Sequence, residues 1–216
     1  MSSTEPIAVI DFETTGMTPA QGARATEVAI VLLQDGRIVD RFQSLMRTGV
    51  HIPGFITQPT GITNAMVADA PPAESVMRDA ARFVGGAQMV AHNASFDSKF
   101  WTAELAHADV HATQRFACTV LLSRRLYPEA RSHSLGNIID HLGLPRAGRA
   151  HRALADAEMA AFLLARIQQD LRQRWRLQDA RHDLLCGLQK CARPAVPQWL
   201  GRCAALQAES PSSPGR

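Results

Sequence analysis

Val9-Ile10-Asp11-Phe12-Glu13-Thr14-Thr15-Gly16 is an apolar run that ends in two carboxylates one residue apart, followed by a Thr-Thr-Gly turn. It reads as a buried strand from about Ile7 to Glu13. Side chains at i and i+2 of a strand share a face, so Asp11 and Glu13 point to one common place at the strand's end. Like charges this close are tolerated when solvent screens them or when a cation lies between them, and oxygen donors of this kind suit Mg²⁺ or Mn²⁺. The pair by itself leaves both readings open.

Beyond this strand, Thr14 to Ala25 is a loop, and Glu27–Leu33 and Arg37–Met46 are β-prone runs joined at Asp35-Gly36, a strong hairpin signal. Ile52 to Ala73, rich in Pro and Gly, reads as loops around one short helix. Ala73–Val84 has helical spacing at Val76, Ala80, Phe83 and Val84 and is closed by Gly85-Gly86. Gln88–Ala91 is a short buried strand, after which Asn93 caps a helix running to about Ala108. A strand at Arg115–Thr119, helices at Val120–Leu126 and Leu135–Leu142, and a long helix at Ala153–Arg176 complete the main body. Strands first, then strands alternating with helices, indicate an α/β layer fold with a mixed sheet. Residues 1–176 form this domain. Residues 177–216 are a partly helical extension, with a helix at Arg181–Leu188, a breaker at Arg193-Pro-Ala-Val-Pro and a disordered Ser- and Pro-rich end.

Composition is that of a soluble globular protein, 46% hydrophobic and 20% charged, with no apolar run long enough to span a bilayer. With no recognisable signal peptide and no framework spacing among Cys118, Cys186, Cys191 and Cys203, a cytoplasmic location is expected. The net charge of +3 is uneven: from Leu171 onward there are eight basic residues against three acids, a distribution suited to a polyanion or to a solvated basic helix.

Three further acids and bases have chemical potential. Asp97 falls in the first turn of the helix after Asn93, at the sheet edge where α/β proteins bind ligands. His151 lies just before the long helix, and Asp156 lies in its first turn. Each acid would also complement a helix dipole. Together, four carboxylates can bind two divalent ions, and histidine is the side chain whose ordinary titration spans neutral pH. That chemistry suits in-line displacement at a phosphodiester, whose charge fits among clustered acids only if cations intervene.

The order Asp11-x-Glu13-Thr14-Thr15-Gly16, then His92-Asn93-x-x-Phe96-Asp97, then His151-x-x-x-x-Asp156 resembles the three motifs of the DEDDh 3′→5′ exonucleases. The likeness covers roughly Ile7 to Leu171. It implies an RNase H-like fold, a mixed five-stranded central sheet flanked by helices, here with a short helical C-terminal extension. It also implies two Mg²⁺ or Mn²⁺ ions held by Asp11, Glu13, Asp97 and Asp156, with Asp11 bridging both. His151 would be the general base, and the product a nucleoside 5′-monophosphate from a 3′ end. Thr15, Ile62 and Phe96 resemble the family's pocket for the terminal nucleotide, although Ile62 and Phe96 could also simply pack as core residues. The loop from Arg146 to Arg152 suits a mobile histidine that orders on substrate. The expected substrate is single-stranded or frayed DNA, with RNA trimming as the alternative, a DNA polymerase as a candidate partner and no membrane. A nucleotide phosphoesterase or a non-catalytic nucleic-acid-binding module are the remaining readings. The clamp-binding peptide usual in replicative epsilon subunits is not found after Arg176, so a stand-alone repair or turnover nuclease fits as well as a proofreader. His182, Cys186, Cys191 and Cys203 could supply four zinc ligands, but their irregular spacing favours an apolar, Cys-containing helix face packed on the domain.

Overall fold

A computed structural model describes residues 5–148 and 151–209. Five strands, β1 (Ile7–Thr14), β2 (Ala25–Gln34), β3 (Arg37–Leu45), β4 (Gln88–Ala91) and β5 (Phe116–Cys118), form one sheet in the order β3-β2-β1-β4-β5. The first three are antiparallel, and β4 and β5 join parallel to β1. Asp35 and Gly36 both take positive φ, 51° and 77°, as a two-residue hairpin turn demands. The central strand β1 is covered on both faces. Ile7 and Val9 point into a cluster built on helix α7 (Ala153–Trp175). Ala8, Ile10 and Phe12 point into a second cluster under α3 (Ala73–Val84) and α4 (Ala94–His107).

The Ile52–Ala73 segment departs from expectation, because it holds two short helices, α1 (Gly54–Thr60) and α2 (Asn64–Ala68). Pro59 is accommodated near the end of α1, which Gly61 closes at φ 71°, and Thr63 then caps α2 by accepting the Met66 amide. Asn93 does precede α4, but at φ 75° and ψ 48° its side chain makes no cap bond and instead accepts from Ser95 Oγ. Helices α5 (Thr119–Leu126) and α6 (Leu135–His141) follow the expected course.

The C-terminal residues hold α8 (His182–Leu188), as expected, and a further helix, α9 (Val196–Glu209), which starts inside the segment read as a breaker. Pro197 sits in the first turn of α9, where its missing N–H costs nothing. Leu185, Leu188, Val196 and Leu200 join the cluster that α7 builds. Gln189 binds the edge of the sheet: its Oε1 accepts the Cys118 amide at 2.7 Å and its Nε2 donates to the Phe116 carbonyl at 3.1 Å. The side-chain amide thus stands where a sixth strand's peptide would pair. Buried His182 bonds through Nε2 to the Met89 carbonyl at 2.9 Å. Among the described residues it does not converge with Cys186, Cys191 and Cys203 into a metal set. The expected disordered end, from residue 210 on, lies outside the described residues. No described helix is long and apolar enough to cross a membrane.

Candidate active site

Alternation along β1 places Asp11 and Glu13 on the face shared with Ile7 and Val9, toward α7. The β1–β2 pairing slips between Glu13 and Thr14, a bulge that ends the ladder beside the two acids. Asp156 occupies the first turn of α7, on the same side of the sheet. His151 precedes that helix at φ 59°, and its backbone N–H donates to Asp156 Oδ2 at 3.1 Å. Ligand atoms of Glu13, His151 and Asp156 all lie within 4.8 Å of one another. Asp97 arrives from the other face, in the first turn of α4, and is 2% exposed. One of its oxygens, Oδ1, is buried without a hydrogen-bond partner.

These placements act on one another. Burial, then Asp97, Asp156, Glu13 and Glu27, hold the Asp11 carboxyl well above the usual carboxylate range. Burial pushes Asp97 up to about 8, against the amides of Asp97 and Phe12, which pull it down. Glu13 is raised to about 7, by burial first and then by Asp156 and Glu27. Asp156 is also raised by burial, against the His151 amide. Four carboxylates that resist ionising side by side, one with a buried oxygen that no protein group meets, are a donor set that fits divalent cations.

The residues expected to hold a nucleotide are placed differently. Thr15 is buried and fixed to Arg24 twice: its amide donates to the Arg24 carbonyl at 2.9 Å and its Oγ1 accepts the Arg24 amide at 3.0 Å. Phe96, next to Asp97, is half-buried against Phe100 with ring centroids 4.9 Å apart. Ile62 is wholly buried in a small cluster with Ile52 and Val67, and its amide donates to Thr60 Oγ1 at 3.1 Å.

Residues 8–164 match the RNase_T exonuclease family. The chain belongs to the DEDDh 3′→5′ exonuclease family. It is 37% identical over 166 residues to the 3′-5′ exonuclease DinG of Bacillus subtilis (strain 168), an alignment spanning 76% of this chain and only 18% of that protein. It is 32% identical over 167 residues to DNA polymerase III subunit epsilon of Aquifex aeolicus (strain VF5), spanning 76% of this chain and 80% of that one. Among solved structures, exonuclease X in complex with 5′-overhanging duplex DNA aligns with a TM-score of 0.68 at 28% identity, over 85% of this chain and 99% of that one. The five-stranded sheet with flanking helices is the RNase H-like fold of these exonucleases.

Two buried acids beside the family's motifs escaped the sequence reading. Glu104, on the same helix as Asp97, receives both Arg24 Nε and Nη2 at 2.9 Å and the Ala25 amide at 2.9 Å, which ties α4 to the start of β2. Glu27, wholly buried on β2, is paired in register with Glu13. The available signal was an acid inside an otherwise apolar strand, which burial makes costly unless it is paired.

Proposed function

We propose that the protein is a metal-dependent 3′→5′ exonuclease that releases nucleoside 5′-monophosphates from single-stranded or frayed DNA ends. The observation that carries this reading is the convergence of Glu13, His151 and Asp156 within 4.8 Å, beside Asp11 and a buried Asp97 whose Oδ1 has no protein partner. Asp11, Glu13, Asp97 and Asp156 would hold two Mg²⁺ or Mn²⁺ ions. When bound, such ions would neutralise the acids and the phosphodiester and would lower the pKa of a water so that it can give up a proton and act as the nucleophile. His151 takes the proton of the attacking water on its imidazole, and its exposure gives that ring access to the substrate side. The carboxylates keep a phosphodiester out unless they are neutralised, so binding and catalysis share one requirement. Phe96 offers a ring face to the terminal base, beside a Thr15 held rigidly by Arg24, while Ile62 would support the pocket from the core beneath it. The loop from Arg146 to Arg152 would order when substrate and metals bind; its Arg149 and Ala150 lie outside the described residues.

DNA is favoured because the 28%-identical exonuclease X structure is a DNA complex. Epsilon and PolC-type relatives are polymerase proteins by name, which makes a DNA polymerase the partner to look for by co-purification. The test is digestion of matched 5′-labelled single-stranded DNA and RNA with Mg²⁺ or Mn²⁺, with EDTA and Asp11→Ala as controls. The expected result is a ladder shortening from the 3′ end, faster on DNA and lost in both controls. Faster RNA shortening would overturn the substrate assignment, and binding without shortening would overturn the activity.

A further inference from the structure

Glu27 is the one acid within the apolar strand β2 whose side chain is completely enclosed. A buried carboxylate is tolerated only when its acceptors are filled. Oε1 accepts from Gln43 Nε2 at 2.7 Å and Arg152 Nη2 at 3.0 Å, and Oε2 accepts from Arg152 Nε at 3.3 Å and the Ala153 amide at 3.2 Å. Gln43 belongs to the neighbouring strand, so one side of this arrangement is fixed to the sheet. The other side is the junction at which the loop enters α7.

His151 stands immediately before that junction. Asp156 rides on a helix held by a large core, but His151 lies outside the helix, exposed, in a left-handed conformation that a non-glycine side chain resists. Its amide bond to Asp156 restrains it from one side. The Glu27 clamp on Arg152 and Ala153 restrains it from the other, from a position directly opposite Glu13 in the β1–β2 register. A buried ion pair of this kind adds little net stability but can fix one arrangement among several. We infer that Glu27 is a positioning residue for the proton acceptor: by clamping the Arg152–Ala153 junction to the sheet it sets where His151 stands relative to Glu13. The inference rests on the exonuclease reading for its catalytic consequence, but not for the clamp itself.

Two readouts on the full chain test it, one of them independent of turnover. In 3′-end digestion, Glu27→Ala is expected to lower kcat about 10- to 100-fold with KM changed less than about 3-fold. In a His151→Ala background the same substitution is expected to cost less than about 3-fold, because the residue through which it acts is already gone. Amide hydrogen exchange at His151 and Arg152 should quicken at least about tenfold in Glu27→Ala, while Ala157 to Leu163 stays within about twofold. Losses that multiply in the double variant, or unchanged exchange at His151 in a folded Glu27→Ala protein, would overturn the inference. Should the wild type cleave nothing, the exonuclease reading fails, and the exchange result alone decides the clamp. If Glu27→Ala does not fold, Arg152→Ala serves. It removes the guanidinium contacts of a half-exposed side chain, and about a 3- to 10-fold loss that vanishes without His151 is expected; multiplicative losses there refute the inference equally.

Discussion

Burial first, and then one another's charge, disfavour the ionised form of the site's acids, and Asp97→Asn exposes that cost in the metal-free protein. An aspartate in the unfolded chain ionises near 3.9, whereas burial raises Asp97 in the folded protein to about 8. Between those values the folded state keeps a proton that the unfolded state has released, so stability falls as pH rises through that window. The fall is about 1.4 kcal/mol per pH unit, or about 4 kcal/mol by pH 7. Asparagine keeps the shape and can still accept from the Phe12 amide, but it cannot ionise. Part of the gain is returned, because the side-chain nitrogen then falls where Oδ1 now lacks a partner, at a cost of about 1 kcal/mol. Urea unfolding in EDTA should therefore find the variant more stable than the parent by about 2 to 3 kcal/mol at pH 7, and less stable than it, by less than about 1 kcal/mol, near pH 4. Adding millimolar Mg²⁺ at pH 7 should stabilise the parent more than the variant and narrow the difference. A variant less stable than the parent at pH 7 in EDTA, or a difference that does not change with pH, would refute the argument.

Other outcomes follow from the same geometry. His151→Ala should leave metal and oligonucleotide binding intact while slowing cleavage by about 10² to 10⁴, and wild-type rates near pH 7 would remove it from the mechanism. Because Glu13 and Asp97 are raised to about 7 and about 8, Mn²⁺ binding followed by calorimetry at pH 6 should release protons, with affinity rising toward pH 8 and levelling beyond; proton-neutral binding at pH 6 would show that these acids are not the ligands. Leu185→Ala, at a wholly buried position shared with α7, should lower stability by about 2 to 5 kcal/mol in one cooperative transition, and a separate early transition would show that α8 and α9 are an independent unit.

What the sequence exposed and what it hid divide along chain separation. The strand pattern, the Asp35-Gly36 turn and the helix over Ala73–Val84 are written in periodicity and turn chemistry within a dozen residues, and they stand in the fold where expected. The acids of the site were legible because each lies at the end of such an element: Asp11 and Glu13 where a strand stops, Asp97 and Asp156 where helices begin. Proline misled twice. Pro59 and Pro197 read as breakers, yet one lies near the end of α1 and the other in the first turn of α9, and neither position tells against a helix when only composition is weighed. Asn93 misled in the opposite sense: a good cap residue took the left-handed conformation, and its side chain turned to Ser95.

Glu27 shows why the remainder could not be read. Its guanidinium partner is 125 residues away in sequence, and no local pattern announces that an acid in β2 will meet the residue after His151. The same holds for Arg24 and Glu104, separated by 80 residues, which join the start of β2 to the helix bearing Asp97. Local signals thus place the acids that would bind ions, while distant ion pairs fix the elements carrying them. The two kinds of acid are distinguished by what surrounds them. Glu27 and Glu104 are buried with arginines and amides filling their oxygens, whereas Asp11, Glu13 and Asp97 are pushed upward by burial, and one oxygen of Asp97 is left unmet. A fold that satisfies its structural acids so fully while leaving the adjacent set unneutralised presents in that set the donors that suit divalent cations.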